Sequence, residues 1–159
     1  MANPKHLELI TQGTDTWNEA RPEFPDLAGA NLRGADLREV NLSNARLLDA
    51  DFVDANLRDA NLSEANLRLA DLSNADLHGA SLTGANLRYA ILRDAHLDYA
   101  SLTEADLTGA YVSGAEMSNA WIGSTNLANA GMIEMRQDGE LSRLVRLIEK
   151  YLDGSSDES

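Results

Sequence analysis

Few residues in this chain have types and spacing suited to chemistry. Asp76 and His78 flank Leu77, and twenty residues on His96 and Asp98 flank Leu97. Imidazole nitrogens and carboxylate oxygens are ligands for a divalent ion such as zinc, and four in a small rectangle would hold one if a fold brought the two triplets onto one face. The plainer alternative is two exposed charge contacts worth ~0.2–1 kcal/mol each. No Gly-rich phosphate loop follows a strand, no H-E-x-x-H occurs, and no Ser, His and Asp form a recognisable motif. The chain lacks cysteine, which excludes disulfides, a thiolate nucleophile and Cys-ligated zinc. The expectation is a protein that is not an enzyme and carries no cofactor.

Charge narrows the partners. Twenty-six Asp and Glu face thirteen Lys and Arg, a formal net charge of −13. A field of that sign repels nucleic-acid phosphates and attracts basic partners, so direct nucleic-acid binding is disfavoured. The excess is uneven: seven arginines lie between Arg33 and Arg93, whereas Asp94 to Glu134 contains no Lys or Arg. There is no apolar run near ~18 residues and no secretory pattern at the start, so the expectation is a soluble cytoplasmic protein with no membrane partner. A length of 159 residues suits one domain.

What positions these residues is a period of five. From Leu27 to Met132 an apolar residue recurs at every fifth position, giving twenty-two units without a slip in register. Ala stands two residues before each of these centres except at Pro25, Val40 and Thr125, and Asn, Asp or Ser usually stands one before. A helix cannot use this pattern, because at about 100° per residue five steps rotate the leucine by roughly 140°. A straight strand fails as well, since five is odd and successive leucines would face opposite ways. The conflict disappears if the chain turns a corner in every unit, which Asn and Asp beside the centre favour. The glycines at 29, 34, 79, 84, 109 and 114, two after a centre, are then corner residues. Coils of this kind stack about 4.8 Å apart.

The units A-N-L-R-D, A-N-L-S-E and A-D-L-S-N resemble the pentapeptide-repeat family over residues 25–133. The resemblance implies an all-β solenoid, a right-handed quadrilateral β-helix with four units per coil and about 5.5 coils, in which residues i and i+20 stack. On that lattice Asp76 lies against His96 and His78 against Asp98, closing the rectangle. It also gathers an apolar corner: Leu69 beneath Tyr89, Ile91 beneath Tyr111, and Leu48 and Val53 near the same edge. Such a cluster reads as a contact surface, or as a seat for a terminal helix of the same chain. The column Ser43, Ser63, Thr83 and Thr103 reads as solubility and stacking.

The ends differ in kind. Leu7, Ile10 and Trp17 share a helical face, so residues 1–24 are expected to form a helical cap that ends at Pro22 and Pro25. The stretch HLELITQGTDTWNEARPEFPDL resembles the helical lead-in of many bacterial family members. Leu141, Leu144, Val145, Ile148 and Leu152 predict a C-terminal amphipathic helix within residues 134–153, a cap or a homodimer contact, before a polar tail at 154–159. Two functions follow as expectations. One is a non-catalytic interaction or scaffold module for a protein partner. The other, which the resemblance suggests, is a DNA mimic that binds a type II topoisomerase such as DNA gyrase through the basic-free stretch. Against the second stand the arginines of the first half and an uninterrupted repeat, where quinolone-resistance members carry loops.

Overall fold

Each five-residue unit makes one side and one corner of a coil. The structure, a computed structural model, describes residues 1–131. At each corner the N–H of the next unit's first residue, Ala except at Val40 and Thr125, donates to the carbonyl of the preceding centre, as from Ala30 to Leu27 at 3.0 Å. The residue two after the centre has positive φ in every unit from Leu27 to Leu127, and the residue before it does not. That combination is the type II turn, which favours Gly or Asn at this position. Six glycines and four asparagines comply, but eleven other residues, including Glu39, Leu69, Tyr89 and Tyr99, are held there as well.

Parallel bridges join residue i to residue i+20 from Asp26 and Arg46 to Asp106 and Asn126, so four units close one coil. Unit Ala55–Asp59 shows why the motif has the residues it has. Ala55 N–H donates to Phe52 O at 2.9 Å, Asn56 to Ala35 O at 2.9 Å, Leu57 to Asp76 O at 2.7 Å and Asp59 to His78 O at 2.9 Å. The remaining N–H, that of Arg58, donates to the Asn56 side-chain Oδ1 at 3.2 Å. All five donors are satisfied, the last because Asn or Asp precedes the centre. The expected β character is confined to single-residue bridges, because a corner every five residues leaves no room for a longer ladder.

Leu centres and their Ala neighbours fill the coil interior, with Phe52, Val112, Met117 and Ile122 replacing Leu in the same columns, all buried. Burying each Leu stabilises by ~1.5–3 kcal/mol. No polar or charged residue is fully buried among the described residues.

The N-terminal cap is two helices where one was expected: α1 (Pro4–Thr11) and α2 (Thr14–Ala20), separated at Gly13, whose φ of 110° breaks the run. Ile10 and Trp17 are buried on the first coil, with Leu7 partly buried against it. The cap's polar groups meet the open backbone edge. Trp17 Nε1 donates to Asn41 O at 2.8 Å, and Asn18 accepts from Asn41 N–H at 2.8 Å while donating to Glu39 O at 3.0 Å. Arg21 donates to Asn41 O and Ser43 O, and Asp26 N–H donates to His6 Nδ1 at 2.9 Å. These contacts close an edge that would otherwise template further pairing. The C-terminal helix expected within 134–153, with Leu141, Leu144, Val145, Ile148 and Leu152, lies outside the described residues, as does the tail.

Candidate interaction surface

The apolar corner is built by register. Asp49, Leu69, Tyr89 and Gly109 occupy successive coils at one corner, and Asp71, Ile91 and Tyr111 bridge in sequence at the start of the adjoining side. Leu69 and Tyr89 are each 43% exposed, Ile91 and Tyr111 are half-buried, and Leu48 is half-buried beside them. Val53, expected on this surface, is instead buried, 7% exposed.

Tyr89 is held in place from two sides. Its ring lies over Gly109 of the next coil, where a methyl group would fall 2.6 Å from Cε1. The Arg88 guanidinium lies 5.8 Å from the Tyr89 ring centre, and Arg93 lies 5.8 Å from that of Tyr111. Such contacts are worth about 0.5–1 kcal/mol at exposed sites and orient the rings. Arg88 also pairs with Asp106 at 3.1 Å, which raises its already high pKa. Burial pushes the Asp106 carboxyl up, but hydrogen bonds from the Thr108 hydroxyl and N–H, and from Arg88, outweigh it and hold the group below the usual carboxylate range.

Three exposed aromatics were not singled out by sequence: Phe24, 73% exposed just after the cap, Tyr99, 57% exposed at another corner, and Trp121, 67% exposed on the last coil described. Trp121 could have been found as an aromatic in a column otherwise filled by Asn and Ser.

The His and Asp rectangle is rearranged. The expected register holds, with Asp76 bridged to His96. The side chains do not converge: Asp76 pairs with Arg58 at 3.1 Å, and the His78 ring packs on Tyr99 with centroids 5.3 Å apart. His96 reaches the next coil instead, where its Nδ1 lies 3.1 Å from Glu116 Oε2.

Among the described residues no helix is long and apolar enough to cross a membrane. The sequence matches the family model for pentapeptide repeats, in eight copies, at residues 24–51, 50–88 and 90–129. No curated protein matches the chain. Among solved structures, it is 28% identical to a pentapeptide repeat protein from the Arabidopsis thaliana thylakoid lumen, covering 83% of this chain and 85% of that one with a TM-score of 0.43. A pentapeptide repeat protein from Nostoc PCC 7120 is 36% identical over 64% of this chain and 74% of its own, TM-score 0.43. A plasmid-mediated fluoroquinolone resistance protein is 27% identical over 67% of this chain and 63% of its own, TM-score 0.33. A five-residue repeat in unbroken register, closing a coil every twenty residues and matching the family model over most of the chain, places this protein in the pentapeptide-repeat family.

Proposed function

We propose that the chain is a non-catalytic interaction module whose frame is the right-handed quadrilateral β-helix that family membership implies. It presents the corner formed by Leu69, Tyr89, Ile91 and Tyr111, with Leu48 at its edge, to a protein partner. One observation carries this reading: Leu69 and Tyr89, each 43% exposed, stack on successive coils at one corner beside Ile91 and Tyr111, so their apolar side chains form one cluster. A contiguous exposed apolar cluster marks a contact surface more often than isolated apolar residues do. Asp49 and Asp71 stack directly below Leu69 and Ile91, so a partner segment that combines apolar and basic side chains fits the corner. Replacing Tyr89 and Tyr111 by Ser together should abolish capture of the native partner while far-UV circular dichroism of the coil stays the same. Undiminished capture would refute the corner as the contact.

The DNA-mimic reading keeps one specific support, the absence of Lys and Arg from Asp94 through Glu134 of the sequence. A supercoiling and drug-induced cleavage assay with DNA gyrase separates the two readings. Inhibition or protection that is unaffected by the Tyr89 and Tyr111 changes supports the mimic, and no effect at excess protein removes it.

A further inference from the structure

We propose that His96, Asp98 and Glu116 form a divalent transition-metal site, of the kind that takes zinc, which clamps two consecutive coils together. His96 and Glu116 are bridged partners one coil apart, and Asp98 lies two residues beyond His96 on the same outer side. One ligand atom from each lies within 4.8 Å of the other two. Zinc binds nitrogen and oxygen at about 2.0–2.2 Å, which places ligands of a tetrahedral ion roughly 3.4 Å apart. His96 Nδ1 and Glu116 Oε2 are already 3.1 Å apart. All three groups are at least partly solvent-accessible, so side-chain rotation can bring in the third without moving the core. Asp98 is oriented by an accepted hydrogen bond, from Ser118 N–H to its Oδ1 at 3.0 Å, which leaves Oδ2 for the ion.

The same side of the rod differs in its other coils. In two of them the residue after the centre is an arginine that engages a carboxylate, Arg38 that of Asp36 at 2.6 Å and Arg58 that of Asp76 at 3.1 Å, and in the other two it is His78 or Ser118. At Asp98 the sequence supplies a carboxylate where those two coils carry a cation, which sets two carboxylates beside one imidazole. One imidazole with two carboxylates and water suits zinc, nickel or cobalt, whereas magnesium and calcium favour all-oxygen sets. With no cysteine and only three histidines in the chain, the ligand is testable by elimination. His6 is occupied in the cap and His78 is packed on Tyr99.

The test is calorimetric titration of the untagged full chain with zinc chloride at neutral pH, paired with thermal unfolding with and without the ion. One ion per chain is expected, with binding at least tenfold weaker in His96→Ala, several-fold weaker in Asp98→Asn and Glu116→Gln, and within twofold of the parent in His78→Ala. Zinc should raise the melting temperature of the parent and not that of His96→Ala, because an ion bound only to the folded coil stabilises it. Far-UV circular dichroism of each variant establishes that the coil is intact. Absence of saturable heat, equal binding by His96→Ala, or equal loss in His78→Ala would each overturn the site.

Discussion

A glycine and the side chain twenty residues before it share a corner in this coil. Asp59 lies over Gly79, Glu64 over Gly84, Tyr89 over Gly109 and Asp94 over Gly114, one pair for each of the four corners. Gly29 and Gly34 have the same positive φ, but a Cβ there would meet nothing within 4 Å. Identical backbone with different surroundings separates two effects. Gly29→Ala should cost only the left-handed penalty of about 1–2 kcal/mol. Gly109→Ala should cost about 1–3 kcal/mol more, because the Tyr89 ring must move. Adding Tyr89→Ala should then remove most of the difference. Urea unfolding of the three variants measures this, and equal costs for the two glycine changes would show that the ring contact is unimportant. That these glycines turn corners was legible in their spacing. Which of them also seat a neighbour depends on the closed coil, where i meets i+20.

Among elements, the cap shows what amphipathic spacing can and cannot reveal. Leu7, Ile10 and Trp17 mark a face that must be covered, and the structure covers it. The break at Gly13, and the use of His6, Asn18 and Arg21 as backbone partners, were not legible, because their partners lie twenty or more residues away at Asp26, Glu39, Asn41 and Ser43. Trp17→Phe keeps most of the apolar volume and deletes the indole donor to Asn41 O. That carbonyl still accepts from Arg21 Nε at 3.0 Å, so the expected cost lies near the low end of a lost hydrogen bond, about 1 kcal/mol. Trp17→Ala adds a cavity, for about 3–5 kcal/mol in all. Thermal unfolding followed by far-UV circular dichroism distinguishes them, and similar losses would mean the hydrogen bond outweighs the packing.

Over the whole molecule, charge is organised between coils. Arg46 pairs with Asp26, Arg33 with Asp51, Arg58 with Asp76 and Arg88 with Asp106, each across neighbouring turns of the solenoid. The Asp36 carboxyl is held below its ordinary range by Arg38, and Asp106 by Thr108 and Arg88 against its own burial. Because the folded values are depressed, these groups stabilise the fold above the ordinary carboxylate range. That contribution is lost as pH falls through the folded values, below about pH 4. Melting temperature measured from neutral to strongly acidic pH should fall more steeply for the parent than for Asp106→Asn, the two converging at the acid end. Parallel profiles would remove Asp106 from the acid response.

The sequence by itself determined the five-residue unit, its apolar centre, the corner after it and the need for a cap, since each follows from local periodicity and turn chemistry. The family resemblance supplied the twenty-residue coil, and with it the columns that gather Leu69, Tyr89, Ile91 and Tyr111. Only the tertiary structure decided where each outward side chain ends. Val53 ended buried, Asp76 went to Arg58, His78 to Tyr99, and His96 to Glu116 one coil further on. The reason is physical: period and register fix where a Cα sits, whereas an exposed side chain chooses among several charged and aromatic neighbours at similar distance, and that choice depends on all of them at once.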